Sequence, residues 1–144
     1  MAGADRLYTP ELLQLAVRLA DYPADSSLPF QGTARSPSCG STIAMGLALD
    51  DTQAIIAIGM KVHACAVGQA AAAIFADASP GQDRDSVSAA RQALERWLAG
   101  EGALPDWPGI AAIEAVRAYP GRHGALLLPW KAAEQALSNA DRNG

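Results

Sequence analysis

Two cysteines and two histidines are the residues of this chain best able to do chemistry, and they fall in related places. Cys39 follows Ser36-Pro37-Ser38 and precedes Gly40, while Cys65 sits in Ala64-Cys65-Ala66. His63 stands two residues before Cys65, and His123 stands two residues before Ala125. Thiolate and imidazole both bind transition metals, so two of each would suffice for a zinc ion. The competing reading is structural: a cysteine between two alanines is commonly a small buried hydrophobe, and each histidine taken singly is incidental or solvent-facing. If the alternation through Val62 continues, His63 points away from the Val62 face, and no partner that would fix either ring is legible. Cys65 also sits where a strand pattern gives way to a helical one. A thiol at a helix N-terminus is placed to be a thiolate nucleophile or ligand.

The elements that must position these residues follow from local pattern. Thr9-Pro10-Glu11 is a helix start, with a side-chain cap, a ring that fixes φ and an acid at the positive dipole end. Leu12, Leu15, Ala16 and Leu19 then share one face, so a helix is expected from about Pro10 to Ala20, ended by Pro23. Residues Ser26 to Ser38 form a loop with one short edge strand around Gln31 to Arg35. Ile43, Met45, Leu47 and Leu49 alternate with small or polar residues, and Ile56, Ile58, Met60 and Val62 do the same after the Asp50-Asp51-Thr52 turn. Two half-buried strands paired as an antiparallel hairpin are expected.

The remainder reads as helical. Val67, Ala70, Ala71 and Ile74 give an Ala-rich stripe suited to close packing on the sheet, ended at Ser79-Pro80-Gly81. Val87, Ala90, Leu94, Trp97 and Leu98 mark a second helix stopped at Gly100; Ile110, Ile113 and Val116 a short one; Trp130, Ala133 and Leu137 a last one. Ser138 to Gly144 is expected to fray. Trp97, Trp107 and Trp130 read as packing aromatics, and the Arg84, Asp85, Arg91, Glu95 and Arg96 set as a solvated helix face. Strands first and helices afterwards, without βαβ alternation, is an α+β arrangement in one domain spanning 1–144.

Composition limits the function classes. The 144 residues are 50% hydrophobic, enough for a core, and the net charge of -4 with no basic run argues against nucleic acid as the main partner. The apolar stretch from Ala64 to Ala76 is broken by Gly68 and Gln69 and falls short of the roughly 20 residues that span a bilayer, so no membrane partner is expected. The start, MAGADRLYTPELL, has no apolar h-region, and a cytoplasmic location is the default expectation. Two cysteines there suggest a metal site, reactive thiols or core residues before a disulfide.

The order Pro37-Ser38-Cys39-Gly40, alternating strand, short acidic turn, second strand, then Gly59 and Cys65 opening an Ala-rich helix resembles the U-type iron-sulfur cluster scaffold family. In that family a proline-x-cysteine-glycine-aspartate motif begins a strand, and a glycine-x-glycine-cysteine segment precedes a helix of small residues. Pro120-Gly121-Arg122 and Leu128-Pro129-Trp130-Lys131-Ala132 resemble the last helix of its SufU-like branch, where proline-serine-arginine leads to a cysteine and then to leucine-x-tryptophan. The likeness runs from Leu7 to Leu137. It departs from the family at the ligands: Ser41 replaces the aspartate, Ala125 replaces the third cysteine, and Ala64-Cys65 replaces glycine-cysteine.

The resemblance implies an N-terminal helix, a small three-stranded antiparallel sheet and several helices on one face. It implies a site where Cys39, Cys65 and the Ala125 region meet, and His63 or His123, each two residues from one of these ligand positions, is the supplementary metal ligand this chain could add. It implies a protein that is not itself a turnover enzyme, that receives sulfur from a cysteine desulfurase and passes a [2Fe-2S] cluster to apo iron-sulfur proteins. With two thiolates left, iron, zinc or a labile cluster would be held weakly, and the isolated chain is expected to be found empty. The alternative is an interaction or regulatory module that keeps the fold without a cluster. A thiol hydrolase using Cys65 and a histidine ranks below both.

Overall fold

The computed structural model describes residues 7–37 and 39–143. Helix α1 (Pro10–Arg18) begins as the sequence dictates: the Leu12 N–H donates to the Thr9 hydroxyl at 3.1 Å, Pro10 opens the first turn and Glu11 lies in it. A 3₁₀ turn, Leu19–Asp21, extends it. Leu12 is buried, and the helix is tied to the rest by Arg18, which donates from two nitrogens to the Asp77 carboxylate, a group that also accepts from the Tyr22 hydroxyl.

Three strands, β1 (Phe30–Arg35), β2 (Thr42–Leu49) and β3 (Ile55–His63), make an antiparallel sheet in the order β1-β2-β3. The short edge strand expected near 31–35 is a full ladder from Phe30 opposite Leu47 to Arg35 opposite Thr42. Asp50 closes the β2–β3 turn by accepting at one oxygen from Thr52 N–H, the Thr52 hydroxyl and Ala54 N–H, at 2.8, 2.6 and 3.1 Å. The inward series expected along β3 needs one correction. Ala48 pairs with Ala57 and Leu49 with Ile55, leaving Ile56 as the extra residue of a β-bulge. The bulge turns Ile56 outward, 59% exposed, and puts Ile55 into the core at 1%.

The helices that follow are α2 (Ala66–Ala78), α3 (Arg84–Leu98) and α4 (His123–Asn143), with 3₁₀ segments at Ile110–Ala118 and Pro120–Arg122. Asp83 and Ser86 form a reciprocal capping box at the start of α3. The close helix-to-sheet packing expected of α2 belongs instead to α4, which lies across β1 and β2 while α2 is sandwiched between α1 and α4. The reason is Gly32: a Cβ built there would sit 2.2 Å from the Ala132 carbonyl oxygen and 2.6 Å from the Ala136 nitrogen, so only glycine lets the helix come this near. Gln135 accepts from the Thr33 N–H, and Asn139 donates to the Gln31 carbonyl at 2.8 Å, covering hydrogen-bonding groups of the β1 edge. The expected frayed tail from Ser138 is thereby corrected for the described residues. The helix runs to Asn143 because Asn139 is bonded and Ala140 is buried, while Gly144 lies outside the described residues.

Phe75 stacks on Trp107 with centroids 5.1 Å apart, and Trp130 meets both rings edge-on. Trp97, Trp107 and Trp130 are thus packing residues, as their spacing predicts. The result is an N-terminal helix, an antiparallel sheet and helices on one of its faces, the α+β architecture expected.

Candidate functional site

Cys39 lies on the loop that joins β1 to β2. The Ser36 N–H donates to the Ser41 carbonyl and the Gly40 N–H to the Ser36 carbonyl, both at 2.8 Å, which closes a tight loop between Arg35 and its partner Thr42. Gly40, at φ +72, provides the left-handed backbone the closure requires. The loop buries both serines, at 1% and 5% exposure, and leaves Cys39 exposed. Its sulfur is 3.4 Å from the Ser36 hydroxyl and 3.0 Å from the Ser41 hydroxyl. Hydrogen bonding with Ser36 and then with Ser41 holds the Cys39 thiol below its ordinary pKa despite some burial, and the Arg122 charge adds to this. Ser41 therefore supports the thiolate as a neutral partner.

Cys65 is the N-cap of α2, with extended backbone (φ -65, ψ 172) and a half-buried side chain. The residue anchors the helix start through its carbonyl, which accepts from Gln69 N–H at 3.0 Å, while the Gln69 amide donates to the Ala64 carbonyl. Thr42 pairs with His63, so the chain entering β2 and the chain leaving β3 meet at one end of the sheet. Cys39, three residues before Thr42, and Cys65, two after His63, both belong to that end.

The other expected members are placed differently. His63 is exposed on the outer face, opposite the core face that carries Val62, as the alternation predicted. His123 opens α4, and its Nε2 lies 2.9 Å from the Arg117 carbonyl. Ala125 is fully buried beside the start of α2: a Cβ built on Gly68 would lie 3.5 Å from the Ala125 Cβ and 2.6 Å from that of Ala64. Position 125 therefore does border the helix turn that Cys65 caps, but as a methyl group without a donor. Among the described residues, no three His, Cys, Asp or Glu side chains come together as a group able to hold a metal ion. Sequence reasoning missed Ser36 as a neighbour of the Cys39 sulfur. The serines at 36 and 41, flanking Cys39 in a loop between paired strands, were the available signal.

No protein-family description matches the sequence, and no curated protein matches it either. Solved structures do. The fold is similar to that of a nitrogen-fixing NifU-like protein (N-terminal) from Brucella abortus, with a TM-score of 0.88 and 27% identity over 99% of each chain. It is similar to a putative iron-sulfur cluster assembly scaffold protein for the SUF system from Fervidobacterium islandicum, with a TM-score of 0.81 and 21% identity over 92% of this chain and 97% of that one. A hypothetical protein shares the fold at a TM-score of 0.67 and 18% identity, over 87% of this chain and 97% of that one. At these lower identities the second and third likenesses speak for the fold.

Proposed function

We propose that this chain, whose fold and motif order are those of the U-type iron-sulfur cluster scaffold family, is a divergent assembly scaffold in which Cys39 and Cys65 receive iron, zinc or a labile [2Fe-2S] cluster as cargo. One observation carries the reading. Cys39 is an exposed thiol that two buried serine hydroxyls favour as thiolate, at the sheet end it shares with Cys65. The likeness at 27% identity to a NifU-like domain over the whole chain supports it. Iron-sulfur clusters are held by four donors, and this chain offers two thiolates, with His63 and His123 as supplementary ligands in the proposal. Where a histidine does not reach the cluster, its place would be taken by a small thiol or by a donor of the protein that delivers or accepts the cluster. The protein is then a carrier and not a turnover enzyme, working in the cytoplasm between a cysteine desulfurase and apo iron-sulfur proteins, with weak cargo retention as a consequence.

A second reading, an interaction module that carries no cluster, is favoured by Ala125, a fully buried methyl group beside Gly68 where a third thiolate would stand. Anaerobic reconstitution with iron and sulfide, and separately with zinc, separates the two by elemental analysis and visible absorption. The scaffold reading expects labile loading of the parent that Cys39→Ser and Cys65→Ser each remove. Loading that survives both substitutions means the ligands are wrong. A parent that takes up nothing, even with added glutathione, leaves the interaction module.

A further inference from the structure

The outer face of the sheet is half covered and half open, and the open half is basic. Over the covered half the chain from Pro23 to Leu28 lies flat on two glycines. A Cβ at Gly46 would sit 3.1 Å from the Leu28 Cβ and 3.3 Å from the Asp25 carbonyl oxygen, and one at Gly59 2.5 Å from the Pro23 carbonyl oxygen. Beyond it, Thr33, Arg35, Thr42, Ala44, Lys61 and His63 border a shallow trough of about 580 Å³ that also reaches Ala34 and Ile43. Register sets its shape. Arg35, Thr42 and His63 form one cross-strand row, and Thr33, Ala44 and Lys61 the next. The central strand supplies a low floor, Thr42 and Ala44, while the long side chains of the flanking strands make the walls. Neighbouring strands lie about 4.8 Å apart and alternate residues along a strand about 6.8 Å, so three basic side chains share an area of roughly 10 by 7 Å. Among the described residues, neither Arg35 nor Lys61 has an ion-pair partner, and no carboxylate borders the trough. In a chain of net charge -4 this is a local reversal of sign.

We infer that this trough is a docking site for an extended, acidic segment of a partner protein. The trough is two strand spacings wide, enough for one extended segment, and charge complementarity selects carboxylates. The trough ends at the row nearest the Cys39 loop and Cys65, so a partner seated there lies beside the thiols. The inference stands without any cluster: it needs Arg35, Lys61 and the small floor residue Ala44, none of which is a proposed ligand.

The probe is a fluorescein-labelled octaglutamate peptide, titrated with the whole chain by anisotropy in low salt. Exposed ion pairs contribute roughly 0.2 to 1 kcal/mol each, so the double variant Arg35→Gln/Lys61→Gln should weaken binding by about fivefold. Ala44→Ile, which fills the floor without changing charge, should weaken it by about threefold or more. Arg96→Gln on α3 removes the same charge elsewhere and should leave affinity within roughly twofold, and Cys39→Ser/Cys65→Ser should bind like the parent. All these positions except Cys65 are exposed, and far-UV circular dichroism verifies each fold. The proposal is overturned if Arg35→Gln/Lys61→Gln binds normally, if Arg96→Gln weakens binding as much, or if Ala44→Ile has no effect. It is equally overturned if inorganic phosphate at peptide-equivalent charge displaces the probe, which marks a small-anion site, or if a single-stranded oligonucleotide of equal charge binds more tightly.

Discussion

Gly32→Ala tests whether the sheet and α4 are held as closely as the structure says. The new methyl would meet backbone on two sides, 2.2 Å from the Ala132 carbonyl oxygen and 2.6 Å from the Ala136 nitrogen, where ordinary contact begins at 3.4 Å. Relief at the first contact alone needs 3.4 - 2.2 = 1.2 Å of separation between β1 and α4. No rotamer change can supply it, because the obstructing atoms are main chain. Such a shift would also stretch the Thr33–Gln135 and Gln31–Asn139 hydrogen bonds and loosen the packing of Phe30 and Ala34. Overpacking of this kind costs about 1–3 kcal/mol, and with two bonds strained the upper end, about 3 kcal/mol, is expected. For a domain of this size that is a fall in Tm of roughly 10 °C, read by circular dichroism and checked by urea unfolding. Gly121→Ala is the control: nothing lies within 4 Å of its new methyl, and its Tm should hold or rise slightly. A Gly32→Ala protein within about 1 kcal/mol of the parent would refute the close approach and the reasoning built on it.

Three further outcomes follow from the site and its supports. Alkylation of Cys39 should persist to lower pH than for an unperturbed thiol, and Ser36→Ala or Ser41→Ala should move its midpoint upward; iodoacetamide rates against pH, in a Cys65→Ser background, measure it. Asp77→Asn should destabilise the fold at neutral pH: burial pushes that carboxyl up, but hydrogen bonds from Arg18 and Tyr22 outweigh it and hold the group below its ordinary value. A depressed carboxylate stabilises above its unfolded pKa and loses that contribution as pH falls through the folded value, so parent and variant should converge below about pH 4 in acid-unfolding curves. Ala125→Cys should retain iron or zinc more firmly than the parent, because it adds a thiolate next to the helix start that Cys65 caps, at a modest packing cost at this fully buried position; unchanged retention in a folded variant favours the interaction module.

By itself the sequence determined what local chemistry controls. Thr9, Pro10 and Glu11 set the start of α1, period-two alternation set β2 and the direction of His63, and Asp50 set the turn, since each depends on residues within a few positions. The absence of a donor at 125 and of a carboxylate at 41 was equally legible, because side-chain identity alone decides it. Only the tertiary structure decided features that join distant segments. Ile56 points outward because β3 carries one residue more than its partner opposite Leu49, a mismatch that exists only once the strands pair. The helix lying on the sheet is α4 and not the Ala-rich α2, because Gly32 opens the approach to Ala132 and Ala136, a hundred residues away in the chain by order of magnitude. The surroundings of the Cys39 sulfur belong to the same class: Ser36 and Ser41 converge on it through loop closure, and the charge of Arg122 acts on it from a distant part of the chain. The last helical turns hold for the same reason, since Asn139 finds its acceptor on Gln31, and no local propensity could have supplied that partner.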